Sequence, residues 1–127
     1  MNFPEKLLYS KDHEWLQLLT DGVALIGITA FAAGELGDIV YVDVAVDQKL
    51  AAGEVFGSIE AVKTVSDLFL PVSAQLLELN PLLSVSPELV NQDPYGEGWI
   101  LKVKLTHPLE LHRLMGAAAY KKLVGHV

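Results

Sequence analysis

Lys63 is the residue of this sequence with the most distinctive chemical setting. It is the only basic residue between Lys49 and Lys102, and seven carboxylates (Glu54, Glu60, Asp67, Glu78, Glu88, Asp93 and Glu97) share that interval. A solvating surface scatters several lysines, so an isolated amine in an acidic stretch points to a side chain kept for its nitrogen. Two chemistries use such a nitrogen: a Schiff base with a carbonyl, or an amide that carries a prosthetic arm. A third reading involves no chemistry, a surface lysine paired with Glu60 or Asp67.

The other candidates are weaker. His13, His107, His112 and His126 show no i, i+4 pairing of the kind a helical metal site uses. Each reads as a solvated or locally bonded histidine. Asp12 and Glu14 lie two residues apart and Asp43 and Asp47 four apart, but paired carboxylates are common on surfaces and solvation is the default reading for both pairs. There is no nucleophile elbow, dinucleotide fingerprint or phosphate-binding loop. The absence of a catalytic constellation argues against a stand-alone enzyme.

Short strands must position these groups. Trp15 to Leu19 and Val23 to Ile28 flank Thr20-Asp21-Gly22, a strong hairpin signal. Thr29 can cap a short helix through Ala33, closed by Gly34. Asp38 to Asp47, Val55 to Ile59, Val65 to Leu70, Leu76 to Leu79 and Trp99 to Leu105 read as further strands. Pro87 to Val90 makes one helical turn before a loop at 91–96. Pro108 suits the first turn of a helix with Leu111, Leu114 and Met115 on one face, and a second short helix runs from Ala117 to Leu123. Many short strands punctuated by Gly and Pro indicate a sandwich or barrel, mainly β, with short helices.

Composition narrows the function. At 127 residues the length fits one domain able to bury its own core, and residues 1–127 are read as one. The net charge of −7 leaves no basic patch to neutralise phosphates, so neither nucleic acid nor an acidic membrane surface is an expected partner. Protein partners with basic surfaces fit better. There is no cysteine, so redox chemistry has to come from something attached or bound. Met1 to Trp15 lacks the pattern of a secretory signal, and Val23 to Gly34 is too short to span a bilayer. These features lead to the expectation of a soluble, cytoplasmic protein.

Taken in order, a series of blocks resembles the H proteins of the glycine cleavage system, lipoate carriers of the biotinyl/lipoyl fold. The blocks are Tyr9-Ser10-Lys11-Asp12-His13-Glu14-Trp15, Gly27-Ile28-Thr29, Leu36-Gly37-Asp38-Ile39-Val40-Tyr41-Val42, Glu60-Ala61-Val62-Lys63, Pro71-Val72-Ser73, and Asp93-Pro94-Tyr95-Gly96-Glu97-Gly98-Trp99. The first is similar to the family's opening strand. The last separates H proteins from the swinging domains of 2-oxoacid dehydrogenases.

The resemblance implies a flattened barrel-sandwich with Lys63 at a hairpin tip, its ε-nitrogen acylated by lipoate. Ala61-Val62-Lys63-Thr64 alone would not indicate a turn, because it lacks Gly, Pro, Asn and Asp. Glu60 is then expected to assist recognition by a lipoate ligase or a lipoyl/octanoyltransferase. Glu14 is the carboxylate expected to hold the amine of the loaded arm, with Asp67 and Asp12 as lesser candidates and His13 and Trp15 as structural residues.

The implied partners are a pyridoxal-phosphate glycine decarboxylase, a tetrahydrofolate-dependent aminomethyltransferase and dihydrolipoamide dehydrogenase. Alternatives are an H-like protein that relays lipoyl groups to other carriers and, more remotely, an enzyme using Lys63 as a Schiff-base nucleophile. The sequence departs from the family pattern at Ala61, at Ala74 in place of a glycine, at Gln75, and at Leu70 in place of a polar residue. A positive φ at Ala74 would strain the turn, and Leu70 would alter the cleft receiving the arm.

Overall fold

A computed structural model describes residues 2–125, so His126 lies outside the described residues. The chain opens with β1 (Leu8–Tyr9), β2 (Glu14–Leu18) and β3 (Val23–Ile28). Between β2 and β3, Asp21 and Gly22 both take left-handed φ and the Val23 N–H returns to the Thr20 carbonyl, the two-residue hairpin expected from Asp-Gly. Then follow α1 (Ala30–Leu36), β4 (Ile39–Val44), β5 (Lys49–Leu50), β6 (Val55–Ala61), β7 (Val65–Phe69) and β8 (Ala74–Leu79). A 3₁₀ turn at Pro81–Ser84, α2 (Leu89–Gln92), β9 (Leu101–Leu105), a 3₁₀ helix at Pro108–Arg113 and α3 (Ala117–Leu123) complete the order.

The strands form two antiparallel sheets, β1-β2-β3-β9-β8-β5 and β4-β6-β7. Their facing sides bury a mainly aliphatic core that includes Ile26, Ile59, Leu76 and Leu101 together with the ring of Phe56. Phe3, Leu7, Tyr9, Trp15, Ala117 and Tyr120 form a second, aromatic-rich cluster that fastens α3 to the large sheet. Trp15 is fully buried, as expected of a core residue, and its indole N–H donates to the Pro94 carbonyl at 2.9 Å. Its strand partner is Gly27. A Cβ on Gly27 would lie 2.6 Å from the indole ring, so the glycine makes room for the tryptophan. No helix among the described residues is long and apolar enough to cross a membrane.

Several expectations need correction. Helix α1 passes through Gly34 and ends at Leu36, because it is Gly37, with φ of 84°, whose N–H caps the Ala33 carbonyl. The strand expected to reach Asp47 stops at Val44, since Asp47 is left-handed and its N–H goes to the Leu76 carbonyl. The helix expected to carry Leu111, Leu114 and Met115 is a 3₁₀ helix ending at Arg113. Leu114 is extended, and Met115 exchanges both backbone hydrogen bonds with Tyr9. The block from Tyr9 to Trp15 is no single strand. It closes β1 and turns at Ser10–His13, where His13 has φ of 68°, before β2 begins.

Candidate functional site

Lys63 sits with Val62 at the tip of the β6–β7 hairpin. The Ala61 N–H donates to the Thr64 carbonyl at 2.8 Å, and neither Val62 nor Lys63 has positive φ, so the turn needs no glycine. The Val62 N–H donates to the Asp38 carbonyl at 3.0 Å, anchoring the tip to the segment after α1. A rigid root thus carries an exposed amine. Among the described residues no ion pair involves Lys63, so the pairing with Glu60 or Asp67 that the non-chemical alternative requires is not formed. Glu60 is exposed on β6, opposite Tyr41 and Val65, and lines neither of the clefts described below.

From Lys63 a depression of about 280 Å³ runs past Val62, Asp38, Leu36 and Glu35. Glu35 and Leu36 also line a second cleft, of about 450 Å³, so the two depressions adjoin at these residues as a two-part trough. Asp12, His13 and Glu14 bound the second cleft on one side, α1 on another, and Ser66, Asp67 and Leu68 of β7 on a third. The three carboxylates singled out in the sequence, Asp12, Glu14 and Asp67, are therefore brought together. Glu35 was missed because closing α1 at Gly34 removed it from the helix. Its position one turn after Phe31 and Ala32, which line the same cleft, was the available signal.

Of the Asp12–Glu14 pair, solvation holds for Asp12 and fails for Glu14. Asp12 is exposed, but Glu14 is only 2% exposed. The Ser10 hydroxyl donates to Glu14 Oε1 at 2.7 Å and the Phe69 N–H to Oε2 at 3.3 Å. Burial pushes the Glu14 pKa up to about 8; the Asp12 charge adds to this, while the two hydrogen bonds oppose it. The cleft thus ends in a carboxyl group with no cationic partner among the described residues, the complement of an amine. His13 is held through Nδ1 by the Tyr120 hydroxyl at 2.8 Å. His107 meets the Thr106 hydroxyl at 3.0 Å, and His112 is exposed. Among the described residues, no group of three or more His, Cys, Asp or Glu is placed to hold a metal ion.

The departures from the family pattern prove mild. Ala74 opens β8 without positive φ, so no strain arises there. Leu70 belongs to the aliphatic core and does not line the trough.

Comparison with known proteins decides the family. Residues 7–127 match the glycine cleavage H-protein family. The chain belongs to it. It is 54% identical over 127 residues to the glycine cleavage system H protein of Chlorobium limicola, covering 98% of this chain and 99% of that one. It is 53% identical over 125 residues to the protein of the same name from Bacteroides fragilis, covering 98% of each. The crystal structure of a glycine cleavage system H protein from Mycobacterium marinum superposes with a TM-score of 0.88 at 36% identity, covering 97% of this chain and 99% of that one. The two packed sheets are therefore the barrel-sandwich of the H-protein family, as the sequence pattern indicated.

Proposed function

We propose that the chain, residues 1–127 acting as one domain, is a non-enzymatic lipoyl carrier of the glycine cleavage system. It takes up the aminomethyl group left when a pyridoxal-phosphate decarboxylase releases carbon dioxide from glycine. It yields that group to a tetrahydrofolate-dependent aminomethyltransferase, and dihydrolipoamide dehydrogenase restores the disulfide. The observation that carries this reading is the pair of adjoining depressions that share Glu35 and Leu36, one lined by Lys63 and the other by buried Glu14. The family name shared by the relatives favours glycine cleavage over the lipoyl-relay alternative.

The residues present fit a lipoyl arm on Lys63. Acylating this exposed amine breaks no ion pair among the described residues. Ile28, Phe31, Leu36, Ile59 and Leu68 give the trough apolar walls suited to an aliphatic chain. When attached, the arm supplies the disulfide–dithiol couple that a chain without cysteine lacks. The protein's own residues do the rest. The anchored hairpin presents Lys63 to a lipoate ligase or a lipoyl/octanoyltransferase, with exposed Glu60 two positions before Val62 as a recognition point. Glu14 accepts from the amine of the cargo, with Asp67 and Asp12 adding negative potential at the cleft, and the apolar walls keep bulk water away.

The test is release of labelled carbon dioxide from carboxyl-labelled glycine by the decarboxylase at limiting carrier. Release should match the amount of lipoylated protein and vanish for Lys63→Arg. Release that does not depend on the carrier would overturn the reading.

A further inference from the structure

A hydrogen-bonding chain runs from the buried interior to His13 at the cleft, and its donors follow by elimination. Tyr120 is fully buried, and its hydroxyl lies 2.8 Å from Thr29 Oγ1 and 2.8 Å from His13 Nδ1. Thr29 is also fully buried, and its Oγ1 already accepts the Ala32 N–H at 3.2 Å as the cap of α1. The Thr29 hydroxyl proton therefore needs an acceptor, and Tyr120 Oη is the one in reach.

With that bond made, the Tyr120 proton is directed to His13 Nδ1. If His13 instead donated from Nδ1, either the Thr29 or the Tyr120 hydroxyl would keep a buried proton without an acceptor. A buried donor left without an acceptor is strongly disfavoured. One arrangement satisfies every group: Thr29 donates to Tyr120, Tyr120 donates to His13 Nδ1, and the His13 proton resides on Nε2.

His13 lines the cleft beside Glu14, with its ring 5.0 Å from that of Phe31, another cleft residue. Its backbone carbonyl accepts the Thr29 N–H at 3.0 Å, so the turn and the helix cap are fastened together twice. The cleft is thus lined by a histidine of fixed tautomer, with its proton on Nε2, next to the Glu14 carboxyl group. A thiol-bound aminomethyl group has the matching pattern, an amine that donates and a sulfur one methylene away that accepts.

We propose that His13 is a binding residue of the arm cleft, donating its Nε2–H to the sulfur that bears the cargo, and that Tyr120 is the positioning residue that fixes this tautomer. The inference rests on the carrier reading above and goes beyond the structural role that the sequence suggests for His13. Helix α3, remote in sequence from Lys63, thereby acts on the fate of the cargo through a single hydroxyl.

Two-bond proton–nitrogen NMR correlation of the His13 ring, identified by its loss in His13→Asn, tests the tautomer. Asparagine tolerates the positive φ at this position. The parent protein should show the Nε2–H form, and Tyr120→Phe a mixture of forms. Loss of the aminomethyl group is then timed on equally loaded samples. Tyr120→Phe and His13→Asn should each release it roughly three- to tenfold faster, while exposed Val85→Ala, outside the trough, should match the parent.

An Nδ1–H tautomer in the parent, or release from both variants at the parent rate, would overturn the proposal. The tautomer is readable in protein that has never been lipoylated. A failure of Lys63 to accept lipoate would therefore defeat the carrier reading and be seen separately.

Discussion

The Glu14 side chain, on the first residue of β2, accepts the backbone N–H of Phe69 on the last residue of β7 at 3.3 Å. These strands belong to different sheets, so one carboxyl group joins the two layers at the end of the trough. The contact pairs an N–H at the edge of the small sheet, and it fixes one oxygen of a buried carboxyl group that, on the proposed function, accepts from the amine of the cargo.

That placement has a pH signature. Glu14 holds its proton up to about pH 8 in the folded protein, against an ordinary value of 4.5. Because the folded pKa is raised, the folded state binds the proton more tightly than the unfolded chain. The resulting stabilisation is full below the unfolded value and is lost as pH rises through the folded one. Urea unfolding of the parent and of Glu14→Gln between about pH 5 and pH 9 should show the parent losing up to a few kcal/mol relative to the variant. A difference that stays constant with pH would contradict this.

Glu14 should also govern how long cargo is retained. In Glu14→Ala the amine loses its acceptor, and the aminomethyl group should be lost roughly tenfold faster from equally loaded protein, the effect of removing about 1.4 kcal/mol. Equal decay of variant and parent would count against the parked cargo.

Gly27 is a packing requirement. Gly27→Ala drives a methyl group into the Trp15 indole, which is buried and tied to the Pro94 carbonyl, so the ring has little room to retreat. Overpacking of this kind should lower unfolding stability by about 1–3 kcal/mol in denaturant titration. An unchanged midpoint would show that the ring adjusts freely.

Charge should assist docking. At −7, and with the Lys63 charge removed if it is acylated as proposed, the carrier would present an acidic field to the partner enzymes of the proposed function. The aminomethyltransferase half-reaction at limiting carrier should slow as salt rises, because the Debye length shrinks to about 8 Å at physiological ionic strength. A flat rate would assign the carboxylates to solubility alone.

The longer strands were legible in the sequence because β-branched runs and Asp21-Gly22 report local preferences, whereas the two-residue strands β1 and β5 are too short to carry a pattern. The Lys63 turn was not, since its conformation depends on Val62 reaching the Asp38 carbonyl, a tertiary contact with no local sequence mark. The burial of Glu14 was equally hidden, because spacing from Asp12 says nothing about Ser10 and Phe69 closing over one carboxylate and not the other. Glu35 escaped notice through a local misreading: Gly34 resembles a helix stop, but the left-handed residue that ends α1 is Gly37. The role of Tyr120 required the far end of the chain to be folded back onto His13.

The most direct test of the account is peptide mapping of the protein after incubation with a lipoate ligase, lipoate and ATP. The account predicts a single lipoyl group on Lys63 and none anywhere in Lys63→Arg. Modification of Lys49 or Lys102 in place of Lys63, or no modification at all, would contradict it.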